Sequence, residues 1–325
     1  MTFPHVTCVI PVRNGVDSIS AAIHSCLDQD YMGGLDVVIS DGMSTDGTRE
    51  IVSRLAERYQ EISLVDNPAC ITPTALNAAI AVAAGQVIVR CDAHAVLPQG
   101  YVARAVSQLE EHNAANVGGV QRAAGTTTVQ RGIALAMSSA IGVGDARFRI
   151  GGRAGPVETV YLGSFDRSAI EDIGLFDETM IRNQDYDLNH RLRKAGYTVW
   201  FDPELSVEYT PRPSVGRLGV QYYDYGVGKR RMLRRHPDAL RWRQLAPPLL
   251  VLALLASVVL AIVGNWAVAL ITPLLYLAIL GVGTLLALRR DRTKAVLVYP
   301  LAVAAMHTAW GLGFLVGRST TQRAR

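Results

Sequence analysis

VVISDGMSTDGT, Val37 to Thr48, is an apolar run that stops at an aspartate and breaks into small, polar turn residues. An apolar run without alternation suits a strand buried on both faces, and open parallel sheets take ligands just beyond the carboxyl ends of such strands. Asp41 therefore stands at the expected mouth of a nucleotide pocket. Ser44, Thr45 and Asp46 can equally cap the helix expected over Thr48 to Tyr59, so on its own the segment reads as either a ligand loop or an ordinary capped turn. The flanking sequence decides between them.

Upstream, Val6 to Pro11 reads as a strand and Ser18 to Gln29 as a helix, with Leu35 to Ser40 the strand that ends at Asp41. Downstream, Ile62 to Asp66 is a third strand. Thr72-Pro73 opens a helix running to Ala84, and Val87 to Cys91 is a fourth strand that releases Asp92. This alternation predicts an α/β, doubly wound sheet. Gly118-Gly119 to Gly155 is rich in Gly, Ala, Thr and Arg with weak periodicity and reads as loops covering a site as much as core. Regular structure is expected again from Val157.

Hydrophobic residues make up 50% of the 325, high for a wholly soluble chain. Leu245 to Leu288 holds no Asp, Glu, Lys or Arg across 44 residues, and Ala295 to Gly317 adds a second uncharged run. A bilayer crossing takes about 20 apolar residues, so two or three membrane helices are expected, at about 246–264, 267–288 and 295–317. The net charge of +4 is unevenly spread: residues 1–211 carry 16 Lys and Arg against 25 Asp and Glu, whereas Arg212 to Arg243 carries nine basic and two acidic residues. By the positive-inside tendency this segment and the hinge Arg289 to Lys294 are expected to be cytoplasmic, and the N-terminal domain with them. Arg318, Arg323 and Arg325 fit poorly with an external end if all three helices cross. Nucleic-acid binding is not expected, because the basic run abuts a membrane segment and carries no recognisable binding module. Strand character begins at Val6 without a basic, then apolar, leader, so no signal peptide is expected. Cys8, Cys26, Cys70 and Cys91 form no CxxC pair and read as thiols of a reducing compartment. The expected organisation is a domain over 1–211, a basic juxtamembrane segment over 212–244, a membrane region over 245–317 and a tail over 318–325.

Two further constellations carry chemistry. In VIVRCDAH the fourth strand releases Asp92, Ala93 and His94, placing a carboxylate and an imidazole at the sheet's carboxyl edge. That pair suits a divalent ion bound with substrate phosphates, Mg²⁺ or Mn²⁺, and a neutral histidine tilts the preference toward Mn²⁺. In NQDYDLNHRLRKAG, Asn183 to Gly196, an acidic start and a basic end mark a helix whose mouth holds Asp185. There it can act as a general base or serve merely as an N-terminal cap, while Asp187 faces elsewhere.

CVIPVRN, SDGMSTDGT, RCDAH, YLGSFDRSAIEDIGLFDE and NQDYDLNHRLRKAG, in that order across about Val6 to Tyr209, resemble the family 2 glycosyltransferases of the GT-A fold. More narrowly, the DGMSTDGT and DAHA forms followed by a membrane region resemble the succinoglycan glucosyltransferase, ExoA-like group. The resemblance implies that Asp41 contacts the nucleotide base, with Pro11 and Arg13 shaping the same pocket. It further implies that Asp92 is the metal-binding carboxylate, with His94 departing from the usual second acid, and that Asp185 is the base. Gly42 stands where a second acidic residue is frequent and Gln184 where Glu is usual. Gly163, Ser164 and Phe165 are implied to line the acceptor side. The processive synthases' Gln-x-x-Arg-Trp is missing; QYYDYGVGKRR, Gln221 to Arg231, takes its region, with Lys229 and Arg230 as diphosphate contacts.

The expected activity is transfer of a single hexose, with inversion, from a nucleotide sugar, UDP-glucose foremost, to a lipid-linked saccharide in cell-surface polysaccharide assembly. The enzyme is expected to depend on Mn²⁺ or Mg²⁺ and to sit in the cell membrane with its catalytic domain cytoplasmic. Transfer to polyprenyl phosphate is the close alternative. A non-catalytic assembly protein on a degenerate transferase scaffold is the alternative of another class. A nicotinamide-dependent dehydrogenase is excluded by the lack of GxGxxG after the first strand.

Overall fold

The structure, a computed structural model, describes residues 3–317; the basic tail noted above lies outside the described residues. In chain order the elements are β1 (Val6–Val12), α1 (Ile19–Leu27), β2 (Leu35–Asp41), α2 (Thr48–Arg58), β3 (Ile62–Asp66), α3 (Thr72–Val82), β4 (Val87–Arg90), α4 (Tyr101–Glu111) and β5 (Ala114–Ala123). There follow α5 (Thr128–Met137), α6 (Ala140–Val143), α7 (Arg147–Ile150), β6 (Gly155–Pro156), β7 (Tyr161–Asp166), α8 (Arg167–Asp172), α9 (Gln184–Lys194) and β8 (Thr198–Tyr209). The chain ends in α10 (Val215–Arg235), α11 (Ala246–Ile262), α12 (Trp266–Ala269), α13 (Ile271–Arg290) and α14 (Tyr299–Val316), with short 3₁₀ turns between.

The chain forms two compact units, Met1–Gln121 with Gly151–Glu208, and Arg122–Ile150 with Tyr209–Arg325. The first is an α/β unit on one sheet of order β3-β2-β1-β4-β7-β5-β8-β6. β1 pairs in parallel with β2 and β4, and β2 with β3. Beyond β4 the sheet turns mixed: β7 runs antiparallel to both β4 and β5, and β6 antiparallel to β8. The parallel strands are apolar because helices cover both faces. Val6, Cys8 and Ile10 of β1 pack on one side, with Val37, Ile39 and α1, while Val9 packs with Val38 and α3 on the other. Each such side chain, fully removed from water, contributes roughly 1.5–3 kcal/mol. The strand order reverses between β1 and β4, the switch point where such sheets bind ligands.

The Gly- and Ala-rich stretch read as covering loops is regular structure. Its glycines exist for close packing: a Cβ on Gly119 of β5 would collide with the Leu205 carbonyl, and one on Gly118 would lie 2.6 Å from the Tyr161 carbonyl oxygen. α5 follows a capping box in which the Thr127 hydroxyl accepts from the Gln130 amide and Gln130 Oε1 accepts from the Thr127 amide.

Apart from the last residues of β5 and β8, the regular structure of the second unit is helical among the described residues. Ile133 and Met137 of α5 share a core with Leu218 and Tyr222 of α10 and with Tyr299, Ala302, Val303 and Met306 of α14. Three helical stretches are long and apolar enough to cross a membrane, Trp242–Ile262, Trp266–Arg290 and Lys294–Val316. The first two leave large apolar side chains open, including Leu255, Val259, Leu275 and Leu277 at 56% or more exposed.

Candidate active site

The carboxyl end of the parallel sheet is built from two loops bonded to each other. The Asn14 amide donates to Ser44 Oγ (2.8 Å), and the Thr45 amide donates back to Asn14 Oδ1 (2.9 Å). The Gly15 amide donates to Thr48 Oγ1 (2.9 Å) and the Val16 amide to Asp46 Oδ2 (3.1 Å). Asn14 and Met43 adopt left-handed backbone, at φ 53° and 57°, to let the two loops meet. The polar letters of SDGMSTDGT are thus largely spent on joining the loop after β2 to the loop after β1. Hydrogen bonds from the Thr48 hydroxyl, and then from backbone amides, hold the Asp46 carboxyl below its ordinary range.

Asp41 ends β2 opposite Val12 and is fully buried. Its carboxylate accepts from the Ser44 amide (3.2 and 3.3 Å) and from Arg49 Nη1 (3.3 Å), which also bonds Asp66 Oδ1 at 2.6 Å. In this state Asp41 fixes the turn and is covered. Pro11 is half-buried in β1, whereas Arg13 is exposed and makes no ion pair among the described residues. Asp41 and Asp92 follow the two strands that flank β1, so roughly 10 Å separates their strands.

The chemical centre lies past β4. Arg90, the last residue of that strand, is buried, and its Nε and Nη2 contact Asp92 Oδ1 at 2.9 and 2.8 Å. Its Nη1 bonds Asp185 Oδ1. One guanidinium therefore joins carboxylates 93 positions apart in sequence. Burial works against the Arg90 charge, but Asp185 and Asp92 outweigh it and raise its pKa. The Asp185 carboxyl is pushed up from its ordinary value, first by the protein crowding it and then by Asp92, with Arg90 opposing. With 41% of its side chain exposed it stays within reach of a ligand.

Asp185 occupies the first turn of α9, whose N-cap, Asn183, is left-handed at φ 62° and makes no side-chain cap. The carboxylate is thus not spent as a cap. One turn on, Asn189 donates to Thr159 Oγ1 (2.9 Å) and accepts from Asn116 Nδ2 of β5 (2.6 Å), anchoring the helix to the sheet. Asp187 turns away into the interior, bonded to Arg191 at 2.9 Å.

The remaining sequence-derived site residues lie elsewhere. Gly163, Ser164 and Phe165 are buried in β7, and Phe165 packs edge-to-face on Phe176, so an acceptor would meet them only through what covers them. Lys229 is buried in α10 of the helical unit, where its ammonium donates to the Ala239 carbonyl (3.3 Å). Arg230 donates to the Leu315 carbonyl (2.8 Å). Both belong to the helical unit, Tyr209–Arg325 with Arg122–Ile150. Arg90 carried no assigned role in the sequence reading. Its signal was present, because a charge closing the apolar strand VIVR must find buried partners.

The donor chemistry at Asp92 fits a divalent ion. Asp92 spends only Oδ1 on protein, His94 is exposed beside it, and among the described residues no third such ligand joins them. Such a two-ligand set leaves positions for diphosphate oxygens.

The family model for glycosyl transferase family 2 matches residues 7–174, which span β1 to α8 and include Asp41 and Asp92. The chain is a family 2 glycosyltransferase. This transferase is 33% identical over 308 residues to the succinoglycan biosynthesis protein ExoA of Rhizobium meliloti, covering 94% of this chain and 92% of that protein. It is 25% identical over 324 residues, 96% of each chain, to a Methanococcus voltae enzyme. That enzyme is a dolichyl N-acetyl-α-D-glucosaminyl phosphate 3-β-D-2,3-diacetamido-2,3-dideoxy-β-D-glucuronosyltransferase. In fold it resembles the mannosyltransferase PcManGT of Pyrobaculum calidifontis, solved with GDP-mannose and Mn²⁺. The TM-score is 0.65 at 20% identity, covering 97% of this chain and 88% of that one. The mixed sheet of the transferase is that of the GT-A fold, followed by apolar helices, as the motif order implied.

Proposed function

We propose that the transferase moves a single hexose, with inversion, from a nucleotide sugar, UDP-glucose foremost, to a lipid-linked saccharide in cell-surface polysaccharide assembly. The observation that carries this is the meeting of Asp92 and Asp185 on Arg90 at the carboxyl edge of the sheet. Asp185 accepts the proton of the acceptor hydroxyl, whose oxygen attacks the anomeric carbon in line as the carbon–oxygen bond to the diphosphate breaks. The raised pKa of Asp185 makes it a stronger base than an ordinary carboxylate. Asp92 and His94 would hold a divalent ion, Mn²⁺ or Mg²⁺, which when bound would neutralise charge on the departing diphosphate. The exposure of Arg13 supports its assignment, with Pro11, to the nucleotide pocket.

The relatives support the acceptor class, since one is named for succinoglycan biosynthesis and another for a dolichyl-phosphate-linked sugar. The basic segment Arg212 to Arg243 supports a cytoplasmic catalytic unit, the side where nucleotide sugars are met. The test is a donor screen on membranes containing the full chain, reading released nucleoside diphosphate, with EDTA and metal add-back. Supplying lipid-linked saccharide and bare polyprenyl phosphate in parallel decides the acceptor. Sugar appearing only on polyprenyl phosphate would overturn the assignment.

A further inference from the structure

A buried guanidinium fixes whatever neutralises it, because breaking such a pair strands a charge away from water. Arg90 is 8% exposed in its side chain and bonds one oxygen, Oδ1, of each carboxylate. The Oδ2 atoms of Asp92 and Asp185 have no protein partner among the described residues. The planar fork therefore presents one uncommitted oxygen on the donor side and one on the acceptor side, at a separation set by a rigid group. We propose that Arg90 is a positioning residue that ties Asp92 to Asp185 and holds those two oxygens in register for the transfer. This rests on the roles given to the two aspartates above. A second consequence is electrostatic: the three side chains sum to a charge of −1. The site thus binds a divalent ion weakly by itself and takes it together with a diphosphate.

The experiment uses the full chain in detergent, with free Mn²⁺ read by electron paramagnetic resonance and turnover read as UDP released from UDP-glucose. In Arg90→Gln the two carboxylates lose their cation, and Mn²⁺ without nucleotide should bind at least about tenfold tighter than to wild type. Arg90→Lys keeps the charge, so its Mn²⁺ affinity should stay within about threefold, but a point charge cannot hold both carboxylates in one plane. Its kcat should fall at least about tenfold while KM for UDP-glucose changes less than threefold. Wild-type Mn²⁺ affinity in Arg90→Gln, or wild-type kcat in Arg90→Lys, overturns the proposal. If Arg90→Gln does not fold, the kcat and KM of Arg90→Lys decide alone. A failed donor assignment shows up differently, as wild-type protein inert toward UDP-glucose, and the nucleotide-free Mn²⁺ comparison then still judges Arg90.

Discussion

Asp185 is the residue on which the mechanism turns. Asp185→Asn should leave nucleotide-sugar binding intact and lower transfer by about 10²–10⁴-fold, the span expected of a lost general base; unchanged turnover in that variant refutes the base assignment. The base works only deprotonated, so kcat/KM should fall as pH drops through the Asp185 pKa. Because burial and Asp92 raise that pKa, the acid limb should lie above the ordinary carboxylate range. A pH profile whose limb sits at or below that range contradicts the placement of Asp185. Asp41 makes a different demand. It is fully buried, and Arg49 is its cationic partner, so Arg49→Ala should destabilise the fold by about 1–3 kcal/mol in denaturant unfolding. Asp41, Asp92 and Asp185 were legible because each closes an apolar run or opens a helix. The burial of Lys229 was not, since the residues that cover it depend on how a distant segment folds back.

At the level of elements, the first half of the sheet was readable nearly to the residue, from Val6 through Arg90, because each parallel strand is a short apolar run bounded by turn residues. β5 and α5 escaped because their Gly and Ala content hides periodicity, although Thr127 and Gln130 carried a legible capping signal. Two substitutions weigh these features. Gly119→Ala drives a methyl into the Leu205 carbonyl, which is backbone and cannot rotate away, and should cost about 1–3 kcal/mol or more. Thr127→Ala removes the cap and should cost about 1 kcal/mol. Gly216→Ala, in α10 with nothing within 4 Å of the added carbon, is the control and should be neutral or slightly stabilising when the three variants are compared with the parent chain by thermal unfolding.

At the level of the whole molecule, the open question of the basic C-terminal residues turns on α14. By length and composition α14 and its leading turn could cross a bilayer, but 39% of that stretch is buried in protein, against 17% for each of the other two. α10 runs beside it in the same direction: Gly219 faces Ala309, Gly226 faces Trp310 and Phe314, and Arg230 bonds the Leu315 carbonyl at its end. α14 also meets the segment between β5 and β6, through His307 and the Ile141 carbonyl (3.0 Å) and Tyr299 and Ser139 Oγ (3.0 Å). A helix flanked by Asp224, Lys229, Arg230 and Arg231 is a poor candidate for the hydrocarbon core. If α11 and α13 cross, the chain returns at Arg289 to Lys294 to the side it left, and α14 can then lie along that face beside α10. The expected topology is two crossings, with the end of α14 cytoplasmic, in agreement with the positive-inside tendency. Single cysteines, each introduced into a chain whose Cys8, Cys26, Cys70 and Cys91 are replaced by serine or alanine, read by a membrane-impermeant maleimide check it. Asn265→Cys should label from outside intact cells, and Thr293→Cys and Val316→Cys only after permeabilisation. Val316→Cys labelling from outside would instead make α14 a third crossing and carry its end away from the cytoplasmic face.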